Sequence, residues 1–349
     1  MECIFFINPK AGAREGKRLA EQVEQLIVPS PVFKQVVFTD PDRLAQQVYS
    51  CAKGKDLVVI CGGDGTISSI ITHLVGIDKI PTFALIPMGT GNDIARATGW
   101  LQSWADFGLE GIFYAIKEGR TANFDVWQMD VESDEKTDSF TFCAYAGIGY
   151  DGRVCREFLK LNRFFIKKGV SKAIRRLLYV PAGMRILYKN MLHPERIRCH
   201  IAYDKDGKWQ QYRARYGQLL FCNSGYYAGG SLLDRDYSFD DGLLEFFGFK
   251  GYMEYMQMLF EARLIVARCS VLPVRAKEYS LNIETSAYYQ IDGEPRGVIE
   301  RGSCVKIELM RSIPLLKPLP DKYSRKRQKD AAPKAQMKKI SSSVKPAVT

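Results

Sequence analysis

The sequence predicts an α/β domain built on a parallel sheet, followed by a β-sandwich. Three observations point there. Over the first 120 residues, short apolar runs alternate with helix-like stretches, the pattern of strands joined by crossover helices. Two glycine-rich turns, Cys61-Gly62-Gly63-Asp64-Gly65-Thr66 and Pro87-Met88-Gly89-Thr90-Gly91-Asn92-Asp93, each follow an apolar run and precede a helix-like stretch. From Arg120 onward many short alternating runs appear with few long helices, which reads as a β-rich second part.

Taken in order, Cys3–Ile7 is the first strand. The loop Asn8-Pro9-Lys10-Ala11-Gly12-Ala13-Arg14-Glu15-Gly16 leads to a helix from Lys17 to about Ile27, with Leu19, Val23, Leu26 and Ile27 at helical spacing. Phe33–Phe38 is a second strand. Asp40-Pro41 then opens a helix through Tyr49, with Asp40 as N-cap and proline at the first helical position. Asp56–Ile60 and Phe83–Ile86 are buried parallel strands. Their glycine turns sit at strand carboxyl ends, the edge of an open α/β sheet where ligands bind. Ile67–Val75 and Ile94–Ala97 follow as helices, and Ser103–Lys117 is one further helix ended by Gly119. In the second part, strands are expected over 124–131, 139–145, 196–203, 212–222, 243–249, 279–283, 288–291 and 304–309. Glu157–Asn190 interrupts them as helices broken near Gly169 and Pro181.

Glycines at such turns let backbone N–H groups approach phosphate oxygens at a helix start. Asp64 and Asp93 would repel a phosphate unless a divalent cation lay between, the usual way Mg²⁺ is held. The plainer reading of the first turn is a tight bend with Asp64 as helix N-cap. Lys10, Arg14 and Lys17 bring positive charge to the same edge, or else form a solvated loop whose Asn-Pro ends the strand.

Of the net charge of +11, the stretch from Lys317 to Thr349 holds +8, with ten Lys and Arg against two acids. The remainder is not a basic body of the nucleic-acid-binding kind. The tail has no apolar periodicity and is expected to be disordered. It suits either an anionic membrane surface or a solubilising role. Lys160, Arg163, Lys167, Lys168, Lys172, Arg175, Arg176, Arg185 and Lys189 stand among large apolar residues. That mixture fits a membrane surface or a helix with a solvated basic face. No apolar run is long enough to span a bilayer. The start shows no signal-peptide pattern, and nine cysteines without paired spacing favour a reducing, cytoplasmic setting. His73, His193 and His200 form no metal cluster and read as structural.

Gly62-Gly63-Asp64-Gly65-Thr66, followed by Pro87 to Asp93 and Ile94-Ala95-Arg96, resembles the diacylglycerol kinase catalytic domain family, which is related to sphingosine and ceramide kinases. NAD kinases and phosphofructokinases carry turns like the first; the second is the more specific. The resemblance covers about residues 1–312. It implies a nucleotide-binding α/β domain of the NAD kinase and diacylglycerol kinase type (1–120), a β-sandwich lipid-substrate domain (121–316) with a helical insertion (about 155–190), and a basic tail (317–349). It implies ATP and Mg²⁺ as cofactors, a lipid hydroxyl as acceptor, and a peripheral place at the membrane. Asn8, Lys10, Gly63, Asp64, Gly65, Thr66, Gly89, Thr90, Asn92 and Asp93 would contact the nucleotide. Asp292 of Asp292-Gly293-Glu294 matches the family's catalytic base and Glu294 its helper, although Asp-Gly is by itself a hairpin signal. Asp64, Asp93 and Asp125 would gather around a catalytic Mg²⁺. Asp240 and Asp241 match a second, structural Mg²⁺ site, but Asp234-Arg235-Asp236-Tyr237-Ser238 departs from the family's lead-in. The expected reaction is phosphorylation of diacylglycerol. The rivals are a sphingoid or ceramide kinase, an NAD kinase, and a non-enzymatic protein binding membrane or nucleic acid through its tail. A homodimer stays open.

Overall fold

The computed structural model describes residues 1–12, 15–25, 33–167, 177–192, 196–233, 236–264 and 274–319. Arg14, Lys168, Lys172, Arg175, Arg176, His193, Asp234, Arg235 and the tail from residue 320 lie outside the described residues.

The first part alternates as expected. It runs β1 (Glu2–Ile7), α1 (Glu15–Gln25), β2 (Phe33–Phe38), α2 (Leu44–Ala52), β3 (Leu57–Gly62), α3 (Asp64–Leu74) and β4 (Thr82–Pro87). The strands lie parallel in the order β2-β1-β3-β4. β1 and β3 are buried over almost their whole length, because helices cover both faces of such a sheet. The second glycine turn leads into α4 (Asp93–Ala97), α5 (Trp100–Phe107) and α6 (Glu110–Glu118).

Two helix boundaries differ from expectation. The Asp40-Pro41 stretch is a turn rather than a helix start: the Arg43 N–H bonds the Asp40 carbonyl at 3.0 Å, and the Asp40 carboxylate accepts from Asp42 N–H at 3.1 Å. Asp40 spends its acceptors locally, and α2 begins at Leu44. The single helix over 103–117 is two helices, since Gly108 takes φ 56°, ψ −141° and ends α5. Gly119 closes α6 in the left-handed conformation, as expected.

The second part runs β5 (Thr121–Glu132), β6 (Thr137–Phe142), β7 (Tyr145–Gly149), α7 (Tyr150–Lys167), α8 (Tyr179–Leu192), β8 (Ile197–Lys205), β9 (Lys208–Tyr216), β10 (Gln218–Cys222), β11 (Tyr226–Tyr227), β12 (Ser231–Leu232), β13 (Leu244–Phe249), α9 (Tyr252–Leu264), β14 (Val274–Ala276), β15 (Glu278–Ile283), β16 (Ala287–Ile291), β17 (Glu294–Ile299) and β18 (Cys304–Leu316). One antiparallel sheet has the order β14-β13-β10-β7-β16-β17. It faces the larger sheet across a core that includes Trp127, Phe142, Phe221, Phe246 and Tyr279. The expected break near Pro181 falls at the turn 177–178, after which α8 starts at Tyr179 with Pro181 in its first turn, where a missing N–H costs little; Gly169 lies outside the described residues.

β18 was expected to end at Leu309 and instead continues to Leu316. It pairs with β5 along its whole length and with β15 over residues 304–308. Near its end Leu315 pairs in parallel with Phe83 of β4. The parallel sheet and one layer of the sandwich are therefore one continuous sheet.

Candidate active site

The two glycine turns touch backbone to backbone. A Cβ on Gly63 would stand 2.9 Å from the Gly89 Cα, and one on Gly89 would stand 2.6 Å from the Gly63 Cα. Only glycine permits that approach. The Asn92 carboxamide fixes the second turn: its Oδ1 accepts from Gly89 N–H at 2.9 Å and its Nδ2 donates to the Gly89 carbonyl at 3.2 Å. Asn92 itself is left-handed, at φ 53°. The loop after β1 is tied in by Asn8, whose Nδ2 donates to Thr66 Oγ1 at 2.8 Å and whose Oδ1 accepts from Lys10 N–H at 2.9 Å. Lys10, Gly65 and Thr90 are exposed beside these turns, and a Cβ on Gly65 would meet no protein atom within 4 Å.

Asp64 and Asp93 lie close together. Burial raises the Asp64 carboxyl to about 6, and the charges of Asp93 and Asp292 add to that rise. The Asp64 Oδ1 accepts from Ile94 N–H at 3.2 Å. Asp93 is only 2% exposed, and its Oδ2 accepts from Gly229 N–H at 2.9 Å. Gly229 belongs to the second part, in a loop where Ala228, Gly229 and Gly230 all take positive φ. The Arg96 guanidinium lies 3.1 Å from where a Gly230 Cβ would be. Nothing in the sequence reading pointed to this loop.

Asp292 arrives from the opposite side. It occupies the first position of a two-residue hairpin turn, with φ 48° at Asp292 and 83° at Gly293, so the hairpin signal and the expected site coincide. Its carboxylate is held by four donors. Ala144 N–H and Tyr145 N–H reach Oδ1, both at 2.9 Å; Cys143 N–H, at 3.0 Å, and the Ser68 hydroxyl reach Oδ2. This explains why the strand expected over 139–145 is split into β6 and β7: its backbone turns aside at Cys143 and Ala144 to bind the acid. Burial raises the Asp292 carboxyl, against the lowering effect of those four bonds.

Behind this turn lies a second buried acid that the sequence reading missed. The Gln290 side chain donates to Asp151 Oδ2 at 2.6 Å and accepts from Gly293 N–H at 2.6 Å. Asp151 N–H donates to Gln218 Oε1 at 2.9 Å, and the Tyr227 hydroxyl, itself 2.7 Å from that of Tyr255, also bonds the acid. Burial pushes Asp151 up to about 6. Its local signal, Gly149-Tyr150-Asp151-Gly152, looks like any polar turn.

The remaining expected site residues are not gathered with Asp64. Asp125 accepts from Ser312 Oγ at 2.5 Å and Gly242 N–H at 2.7 Å. Its charged neighbours are Asp241 and Asp240, so it does not complete a network with Asp64 and Asp93. Asp240 Oδ1 accepts from Ser238 Oγ at 2.5 Å, and Asp241 Oδ1 from Leu243 N–H at 3.0 Å. Both acids serve their own loop. Glu294 is exposed on β17. Its charge bears on Cys155 and Tyr179 of the helical layer. Among the described residues no three His, Cys, Asp or Glu side chains form a ready metal cage.

The fold and the site together define a two-part protein in which a parallel-sheet edge with paired glycine turns is closed by an acid from a β-sandwich. The profile of the diacylglycerol kinase catalytic domain matches residues 2–129, and that of the diacylglycerol kinase accessory domain matches residues 141–295. The chain belongs to the diacylglycerol kinase family. It is 26% identical over 339 residues to the eye-specific diacylglycerol kinase of Drosophila melanogaster, covering 90% of this chain and 22% of that protein. It is 26% identical over 331 residues to diacylglycerol kinase 2 of Arabidopsis thaliana, covering 87% and 44%. The chain thus spans less than half the length of these relatives. In fold it is similar to a diacylglycerol kinase from Bacillus anthracis, with TM-score 0.61 and 19% identity over 90% of this chain and 96% of that one. The yeast NADH kinase shares the fold more distantly, with TM-score 0.50 and 10% identity over 93% and 86%.

Proposed function

We propose that this chain is an ATP-dependent lipid kinase that phosphorylates the free hydroxyl of diacylglycerol to give phosphatidic acid. One observation carries the reading: Asp292 of the sandwich bonds Ser68 of α3 and bears electrostatically on Asp64, which lies beside Asp93 at the glycine turns. Acids from two parts of the chain meet at the edge suited to a triphosphate.

The donor set fits Mg²⁺. Asp64 and Asp93 are neighbouring acids whose charges raise one another's cost, and Mg²⁺ takes one or two carboxylates and fills its remaining positions with phosphate and water. Asp64 and Asp93 would hold the ion, which when bound would neutralise charge on the phosphate oxygens. Asn8, Lys10, Gly65, Thr66 and Thr90 border the space for the phosphates.

Asp292 is the base. Of its four donors three are backbone N–H groups, and only the Ser68 hydroxyl can rotate away. The lipid hydroxyl takes that place and gives its proton to the carboxylate as its oxygen bonds the γ-phosphorus and ADP leaves. The three backbone donors keep Asp292 aimed and lower its carboxyl against the burial that raises it.

The acceptor is reached from a membrane surface. Leu177, in the turn before α8, and Val180, Met184, Tyr188 and Leu192 on it recur every three or four residues and are 59–67% exposed, an apolar stripe. Arg185 and Lys189 stand on the same helix. Such a face suits the interface of an anionic bilayer. Among the described residues no helix is long and apolar enough to cross a membrane.

The test is phosphoryl transfer from radiolabelled ATP by the purified chain to a panel of diacylglycerol, sphingosine, ceramide and NAD. Label in phosphatidic acid is the expected result. Label confined to a sphingoid product or to NADP would replace the acceptor assignment, and no transfer to any of them would overturn the kinase reading.

A further inference from the structure

The sandwich carries a second feature at its other end. β7 runs from Tyr145, whose N–H binds Asp292, to Gly149, and β16 runs antiparallel beside it. Where β7 ends and β16 begins, a cavity of about 450 Å³ is lined by Arg153, Arg196, Arg198, Arg215, Thr285 and Ser286 among others. Four strand steps at about 3.4 Å each put it about 14 Å from the base.

Two rungs of the β8–β9 ladder, on either side of the Cys199–Ala214 pair, make the cavity unusual. Arg198 is paired directly opposite Arg215, and His200 opposite Arg213. The second rung has its acid: Glu284 lies 2.8 Å from Arg213 Nη2 and 2.9 Å from His200 Nε2. The first rung has none. Among the described residues no carboxylate is ion-paired with Arg196, Arg198 or Arg215. Arg198 Nε donates to Thr285 Oγ1 at 3.5 Å, and the nearby Ser286 Oγ donates to Glu300 at 3.1 Å. Like charges directly opposite one another on a sheet repel. Arg196 stands two residues before Arg198, on the same face. Arg153 enters from α7, with its guanidinium 5.5 Å from the Tyr288 ring centre. The buried Ile197 and Gly217 form the floor.

We propose that this pocket binds a phosphate group, carried either by the headgroup of an anionic lipid or by a soluble phosphoester. Guanidinium forks match phosphate oxygens in pairs, and an anion between Arg198 and Arg215 turns their repulsion into two attractions. The Thr285 hydroxyl, which accepts from Arg198, can give its own proton to the same anion. The site is separate from the proposed phosphoryl-transfer centre and does not depend on that reading.

The test uses the full chain and the double variant Arg198→Gln/Arg215→Gln. In phosphate-free buffer the variant is expected to melt at or above the wild-type temperature, because a repulsion is removed. Glycerol 3-phosphate should raise the wild-type Tm and leave the variant's nearly unchanged. Phosphatidylcholine vesicles containing phosphatidic acid should retain the wild type at least about tenfold better than the variant, since one charged hydrogen-bonded contact is by itself worth about that factor and the variant loses two. The Met184→Asp variant, altered only on the α8 stripe, should keep this phosphatidic acid preference over plain phosphatidylcholine. A response to vesicles alone identifies a lipid headgroup as the source, and a response to glycerol 3-phosphate alone identifies a soluble ester. If neither probe distinguishes the two proteins, including the case where both are stabilised equally from the glycine turns, the proposal is overturned.

Discussion

Asp64 and Asp292 border the same cleft, yet their surroundings differ in kind. On the parallel-sheet side, Asp64 has a second acid beside it and two backbone donors, the N–H groups of Ile94 and Asn92, and burial still raises it to about 6. On the sandwich side, Asp292 sits in a seat of three backbone N–H groups and one hydroxyl. Burial disfavours charge on both. The first side leaves that cost standing, which is what a cation-binding edge requires. The second offsets it with protein donors, which is what a fixed proton acceptor requires. Behind it, Asp151 is buried without any such backbone seat and is pushed up to about 6.

The largest expected effect breaks the sandwich side. Asp292→Asn should lower kcat by about 10²–10⁴-fold, the range of a lost general base, while nucleotide binding is retained. It should also destabilise the fold by about 1–3 kcal/mol, because an amide NH₂ would face backbone donors. Near wild-type turnover on the lipid acceptor would remove Asp292 from the chemistry.

Asp151→Asn sharpens the contrast through pH. The folded carboxyl is raised to about 6 from an ordinary 3.8, so its stabilising contribution is complete below about 3.8 and is lost as pH climbs to about 6. Denaturant melts from pH 4 to 7 should show the wild type losing up to about 3 kcal/mol relative to the variant. A pH-independent difference would mean that the acid is not desolvated.

Gly63→Ala attacks the parallel-sheet side. The added Cβ meets the Gly89 backbone, so a loss of about 1–3 kcal/mol is expected from overpacking, together with weaker nucleotide binding. An unchanged urea midpoint would show that the two turns are free to separate.

Ser68→Ala has the smallest expected effect. It removes one of the four donors that lower the Asp292 carboxyl. The acid limb of the pH–rate profile should therefore move to higher pH, with turnover reduced about fivefold, as for one hydrogen bond of about 1 kcal/mol. A shift to lower pH would contradict the seat described above.

Much of the parallel sheet was legible in the sequence because its signals are local: apolar runs, glycines and their order. The glycine turns are backbone devices, and glycine announces itself. Other features depended on partners distant in the chain. The break at Cys143–Ala144 answers a carboxylate 149 residues from Cys143. Asp151 shows its role only once Gln290 and Tyr227 fold against it. The alternation expected over 304–309 stops at Leu309 because Met310, Arg311 and Ser312 interrupt it, where the β5 pairing shifts register. Asp125 was assigned to the catalytic cluster from its motif position, whereas Ser312 and Gly242 hold it elsewhere.

β18 has a mechanical consequence. A single strand lies beside β5 throughout, against β15 at its start and against β4 at its end. Spreading the nucleotide edge away from the sandwich as rigid bodies would tear ladder bonds from this strand, which makes a hinge-like yawn of the whole molecule expensive. Traffic of substrate and product then falls to short loops such as 228–230, and turnover should respond to their stiffness more than to any large-scale swing.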